Sequence, residues 1–163
     1  MPAPEPAEEP RIVPRGDGDD DCAGVVGALP TGNLLLLDGE GRILLGLRAT
    51  EETPDANMWN LPGGKCEAGE RPIDTAIRET FEEFAVALSE ADLRPFARYR
   101  CFYPDRVVDA DYFLARLDGE VTIRVDAREF SRGGFFDLRE AAGWTLAFRQ
   151  EVVLQALLAS GAA

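Results

Sequence analysis

Two hydrophobic rhythms run along this chain: short apolar runs between turn residues over most of it, and a helical spacing in two places. Short runs bounded by turn residues predict strands. The first covers residues 23–29 and ends at Pro30-Thr31-Gly32. Residues 34–37 and 43–48 flank Asp38-Gly39-Glu40-Gly41 and predict a hairpin. A polar loop over residues 49–58 leads to a short extended piece, Trp59-Asn60-Leu61, before Pro62-Gly63-Gly64. Residues 93–103 and 107–117 pair around Pro104-Asp105-Arg106, and residues 121–125 and 134–137 are two further strand candidates.

The helical spacing begins at Pro72, a residue suited to the first helical position because its missing N–H is no loss there. Ile73, Ala76, Ile77, Phe81 and Phe84 then fall on one side. A second helix over residues 148–159 is apolar on most of its circumference, through Val152, Val153, Leu154, Leu157 and Leu158. Such a helix is buried on two sides, in the core or against a partner subunit, which leaves a homodimer open. No internal repeat is visible. The sum is an α/β or α+β domain with a mixed sheet and two main helices.

The first 21 residues break this pattern. They hold five prolines, seven acids and two arginines without apolar periodicity, which predicts a flexible tail over 1–21 and a folded domain over 22–163. At 163 residues and 45% apolar content, the chain suits one domain with a real core. No apolar run approaches the ~18 residues of a membrane span. The N-terminus, MPAPEPAEEP, has neither the basic nor the apolar region of a secretory signal, so a cytoplasmic location is expected.

Charge narrows the chemistry. The net charge of −13 opposes stable nucleic-acid binding by counterion release, although a divalent cation can join an acidic protein to an acidic substrate. Histidine is absent, which excludes Ser-His and Cys-His catalysis and the common His-containing zinc sites. Three cysteines, Cys22, Cys66 and Cys101, lack C-x-x-C spacing and read as free thiols in a reducing compartment.

The first helix carries a second face. At 100° per residue, Glu79, Glu82 and Glu83 lie within about 100° of arc, opposite the stripe of Ile73, Ile77 and Phe84. Like charges at this spacing repel, and a divalent cation over them would relieve the repulsion. Oxygen-only ligands select Mg²⁺ or Mn²⁺ over zinc. Arg78, one turn before Glu82, is placed to pin that carboxylate. Upstream, Gly63-Gly64-Lys65 lets backbone approach a metal or phosphate closely, and Glu70 is placed to cap the helix N-terminus. The alternative reading of these residues is an ordinary amphipathic helix with a solvated acidic side.

Residues 64–86 read GKCEAGERPIDTAIRETFEEFAV, and this stretch closely resembles the Nudix box of the Nudix (MutT-like) hydrolases. Gly64, Glu70, Arg78, Glu79, Glu82, Glu83 and Val86 match it in type and spacing, and WNLPGGK over residues 59–65 and Arg48 before it are similar to familial flanks. Thr80 departs where an aliphatic residue is usual. Ala85 departs where glycine is usual, a strained choice if the position needs positive φ.

The resemblance implies a Nudix-like α/β/α sandwich with a mixed β-sheet, and hydrolysis of a nucleoside diphosphate derivative by water attack on phosphorus. It implies Glu79, Glu82, Glu83 and the Gly63 carbonyl as metal ligands, with Glu82 or Glu83 as general base. Arg78 would orient the glutamates and Glu70 would hold the loop. Arg48, Lys65 (the chain's only lysine) and Trp59 would contact substrate, with Trp59 and Arg48 also open to packing and surface roles. Glu129 is a further carboxylate candidate.

The substrate implied first is a (d)NTP. Nucleotide sugars, ADP-ribose and dinucleoside polyphosphates are alternatives, Tyr103 faintly resembling a position in the last group. A late asparagine for reading 8-oxoguanine is missing, since asparagine occurs only at Asn33, Asn57 and Asn60. Arg98, Arg100 and Trp144 are open to substrate contact or to structural roles. A non-catalytic nucleotide-binding Nudix-fold module is the rival from another class, and the intact glutamates argue against it. A diphosphate isomerase of the same fold would need Cys66 or Cys101 to be reactive.

Overall fold

Leu34, Leu35, Leu36 and Leu37 are all fully buried, which a strand permits only when both faces of its sheet are covered. They belong to β2 (Leu29–Leu37) in a computed structural model that describes residues 10–16, 27–49 and 55–163. The other strands are β1 (Arg11–Pro14), β3 (Ile43–Arg48), β4 (Trp59–Asn60), β5 (Gly63–Lys65), β6 (Arg94–Phe102), β7 (Val107–Arg116) and β8 (Phe130–Phe136). The helices are α1 (Pro72–Phe84), α2 (Leu138–Ala141) and α3 (Glu151–Ser160).

The main sheet runs β1-β6-β7-β2-β3-β4, with β5 pairing β2 and β8 pairing β3. Among the described residues only β2 and β7 pair in parallel, so the sheet is mixed. Leu34, Leu36 and Leu44 face α1 and pack with Ala76, Phe84 and Phe130. Leu35, Leu37 and Leu45 face the opposite layer, formed by α2 and α3 through Leu138, Val153, Leu154 and Leu157. This is the α/β/α sandwich expected from the resemblance.

The hairpin over residues 34–48 and the β6–β7 pair form as their patterns predict. Several other elements differ. Pro30-Thr31-Gly32 does not end a strand; β2 runs through it. Gly32 is there for close approach: a Cβ on it would collide with the Pro72 carbonyl oxygen and sit 2.9 Å from the Ala76 nitrogen. The strand expected over 23–29 lies outside the described residues except for its last three. Residues 121–125 form no strand. They cross the end of α1 instead, and Arg124 and Asp126 donate N–H to the Phe84 and Glu83 carbonyls at 3.0 and 2.9 Å. Those carbonyls have no partner inside the helix, which is why the segment is drawn there.

The tail expectation over 1–21 also needs correction at residues 11–16. β1 pairs antiparallel with β6, from Arg11 opposite Phe102 to Pro14 opposite Tyr99. Arg15 follows with ion pairs to Asp109 (2.9 Å) and Asp111. An open β6 edge and two aspartates on β7 attract a segment that composition alone assigns to solvent.

On α1 the buried stripe is Thr75, Ala76, Thr80, Glu83 and Phe84, while Phe81 is 57% exposed. Phe81 lies about 140° round from Ala76 and so misses the core. Glu83 lies only about 20° from Ala76 and is carried into the core edge, so the acidic arc is not opposite the apolar stripe but overlaps it. The Thr80 hydroxyl, in place of an aliphatic group, donates to the Ala76 carbonyl at 2.7 Å.

Ala85 ends α1 in the left-handed conformation, at φ 59° and ψ 31°, with its N–H donated to the Phe81 carbonyl. Ala85→Gly is therefore expected to raise stability by about 0.5–1 kcal/mol. Urea unfolding measures this, and an unchanged or lower midpoint would show that the helix end carries no strain.

α3 starts at Glu151, later than the expected residue 148, because Phe148 and Arg149 take left-handed angles (φ 55° each). Val153, Leu154 and Leu157 are buried within the same chain, which accounts for much of the apolar circumference of α3.

Candidate active site

The glycine turn and the acidic face of α1 meet at one end of a cavity of about 540 Å³. The Gly63 N–H donates to Glu83 Oε1 at 2.9 Å. A Cβ on Gly64 would lie 2.6 Å from Glu79 Oε1, so a side chain there would displace that carboxylate. Glycine is thus what brings this backbone against the two carboxylates.

Arg78 organises the rest of the face. Its Nε and Nη2 donate to both oxygens of Glu70 at 2.9 Å, and its Nη1 donates to Glu79 at 2.9 Å and Glu82 at 3.2 Å. It therefore pins Glu82, as its spacing predicts, and Glu79 as well. Glu70 also accepts the Thr75 hydroxyl (2.6 Å) and the Glu67 N–H (3.1 Å). It does not cap the helix: the cap residue is Arg71, which has no side-chain cap bond. Hydrogen bonds from Arg78 and Thr75 hold the Glu70 carboxyl down to about 2.

The three helix glutamates sit in different surroundings. Glu83 is 5% exposed. Burial, reinforced by the charges of Glu79 and Glu129, pushes its carboxyl up to about 9 against the opposing effects of the Gly63 N–H and Arg48. Burial also raises Glu79, and Arg78 opposes that rise. Glu82 has a half-exposed side chain and borders an outer groove with Asp126 and Glu129. Among the described residues no three acidic or cysteine side chains converge on one point, and Arg78 holds both Glu79 and Glu82. An oxygen-only set with one buried, charge-starved carboxyl fits a hard divalent cation, which would relieve the repulsion and return Glu83 to its carboxylate form.

Of the residues expected from sequence, Arg48, Gly63, Lys65, Arg78, Glu79 and Glu83 line the cavity. Glu129 and Tyr103 line it too. Trp59 does not. It packs against Phe136 at 4.8 Å and Trp144 at 6.2 Å, so both tryptophans belong to an aromatic cluster outside the cavity wall. Arg98 and Arg100 point to Asp111 and Asp109 rather than into the cavity.

Sequence reasoning missed Asn33, Phe148 and Gln150, which also line the cavity. Gln150 is 2% exposed, and its Oε1 accepts the Leu61 N–H at 2.8 Å. A lone amide in the first turn of the expected apolar helix was its only signal. Asn60, inside WNLPGGK, is 4% exposed, and its Oδ1 has no hydrogen-bond partner among the described residues.

The layered sheet delivers a glycine turn and a carboxylate-bearing helix to one cavity. Comparison with known proteins gives the family. The NUDIX domain family matches residues 29–157, and the chain belongs to the Nudix (MutT-like) hydrolases, enzymes of the pyrophosphate bond. It is 32% identical over 151 residues to an RNA pyrophosphohydrolase of Halorhodospira halophila, covering 80% of this chain and 78% of that one. Among solved structures it resembles the NUDIX domain of Shewanella oneidensis NrtR complexed with ADP ribose (TM-score 0.70, 17% identity, 86% of this chain and 92% of that one). It also resembles a MutT NUDIX hydrolase of Burkholderia pseudomallei (TM-score 0.69, 23% identity, 81% and 99%).

Proposed function

We propose that this enzyme cleaves the pyrophosphate linkage of nucleoside and deoxynucleoside triphosphates, releasing a nucleoside monophosphate and pyrophosphate. The observation that carries this reading is the buried Glu83 carboxyl, bonded to the Gly63 N–H in the wall of a cavity that also holds Arg48 and Lys65. Glu79, Glu82, Glu83 and the Gly63 carbonyl would hold Mg²⁺ or Mn²⁺. The bound cation would neutralise phosphate charge and acidify the attacking water.

The chain's own residues do the remainder. Glu83 Oε1 is engaged by Gly63, so Oε2 is the atom that accepts the proton of the attacking water. Glu82 is a weaker base candidate, because it lies on the outer groove. Lys65 and Arg48 hold the phosphates, and Arg78 sets the glutamates. Water forms the new P–O bond as the bond to the bridging oxygen breaks.

A second reading is the 5′-triphosphate end of an RNA, supported by the similarity to the Halorhodospira halophila RNA pyrophosphohydrolase. The net charge of −13 would restrict contact to the terminal nucleotides. The unpaired Cys66 and Cys101 suit a cytoplasmic location, and among the described residues no helix is long and apolar enough to cross a membrane.

The test is phosphate and pyrophosphate release from dNTPs, NTPs, ADP-ribose, nucleotide sugars, Ap4A and a 5′-triphosphorylated oligoribonucleotide, with Mg²⁺ present. Pyrophosphate release fastest from a free triphosphate supports the first reading, and preference for the oligonucleotide supports the second. Nucleotide binding without turnover across the panel would overturn both.

A further inference from the structure

Two consecutive residues ahead of α3, Phe148 and Arg149, hold left-handed backbone angles of φ 55° that favour glycine. The chain on either side fixes them there. Leu146 and Ala147 are buried, Gln150 is anchored to Leu61, and the Phe148 N–H reaches Asp55 Oδ1 at 3.5 Å. Strained conformations of this kind persist where the surroundings over-determine them, and they cluster at functional sites.

Here the turn delivers one side chain. The Phe148 ring enters the cavity wall, and the Arg48 guanidinium carbon lies 5.2 Å from its centroid. Arg48 Nε is buried and has no hydrogen-bond partner among the described residues. An aromatic face suits such a group, because a guanidinium is weakly hydrated and is attracted by the ring quadrupole.

We propose that Phe148 is a positioning residue: its ring holds the Arg48 guanidinium ready for the substrate's phosphates, and the left-handed turn exists to place that ring. The proposal rests on the reading of Arg48 as a phosphate contact. A long cation already ordered loses less freedom when the phosphate arrives, so affinity for the phosphates rises.

Inorganic pyrophosphate with Mg²⁺ is the probe, titrated calorimetrically into the full chain and into variants checked for folding by melting. Phe148→Leu is expected to weaken pyrophosphate binding up to about tenfold, the scale of a partly desolvated cation–π contact. Phe148→Tyr keeps the ring and should retain wild-type affinity. Phe148→Gly removes the strain at position 148 together with the ring and should bind as weakly as Phe148→Leu, which separates the ring's role from that of the backbone at 148. In an Arg48→Ala background, Phe148→Leu should cause no further loss, because its effect runs through Arg48. Additive losses in the double variant, or wild-type affinity in both Phe148→Leu and Phe148→Gly, would overturn the proposal. An Arg48→Ala variant that binds pyrophosphate normally would instead overturn the phosphate role of Arg48, and the proposal with it.

Discussion

Glu83→Gln is expected to lower turnover by ~10³-fold, the scale of a lost general base, while leaving the fold intact. The geometry explains why activity and stability should part. Gln has the same shape, and its carbonyl can still accept the Gly63 N–H that now goes to Glu83 Oε1. Without a cation, Glu83 is a buried carboxyl held up near 9, so the folded chain keeps it neutral over much of the working pH range. An amide replaces that neutral form at little cost, but it can neither take a proton nor supply a ligand charge.

The pH dependence follows with a definite sign. Between the ordinary carboxylate value of 4.5 and about 9, the folded state holds a proton on Glu83 that the unfolded state has released. The stability contributed by this neutral carboxyl is complete below the unfolded value and is lost as pH rises through the folded one. Glu79, also raised, acts in the same direction. The lowered carboxyls Asp38, Glu70, Asp109 and Asp126 act at more acid pH and leave this window alone. Metal-free wild type should therefore melt lower at pH 8 than at pH 5, and Glu83→Gln should show a smaller decline. Undiminished turnover in Glu83→Gln would remove Glu83 from the chemistry. Equal pH slopes in the two proteins would remove the buried-proton argument.

The acidic face was legible because its chemistry is local: the spacing of Glu79, Glu82 and Glu83 and the Gly63-Gly64-Lys65 run put their functional types directly into the string. The degree to which Glu83 is buried was not. It depends on a modest rotation of the α1 stripe, set by packing of Thr75, Thr80 and Phe84 and not by periodicity alone. Phe81 failed for the same reason in reverse.

β1 escaped because its energy lies in a partner 89 residues away, Cys101 opposite Ile12, and in Arg15 meeting Asp109. Nothing in the composition of residues 1–21 encodes that edge. Phe148 escaped because a left-handed phenylalanine has no local signature. Its backbone is imposed by the anchors on either side, and tertiary context overrode the helical pattern that began at residue 148.

The second large effect is expected at Gly32, which lies far from the glutamates in sequence. Gly32→Ala should cost about 3 kcal/mol or more in stability and depress activity beyond the loss of folded protein. Gly32 stands opposite Gly64 in the β2–β5 pair, and the two together form a shallow floor for α1. A Cβ at Gly32 would strike the Pro72 carbonyl and crowd the Ala76 nitrogen, while one at Gly64 would strike Glu79. The obstacles at Gly32 are backbone atoms of a helix, so no side-chain rotation relieves them.

α1 would have to lift, and lifting it draws Glu79 and Glu83 away from Gly63 and Gly64. Gly69→Ala provides the contrast: its φ is +77°, but a Cβ there meets nothing within 4 Å among the described residues. It should cost only about 1 kcal/mol of backbone strain and leave turnover near wild type. Urea unfolding with turnover measured well below each midpoint separates the two. If Gly32→Ala were no more costly than Gly69→Ala, the close seat of α1 on the sheet would not be what sets the glutamates in place.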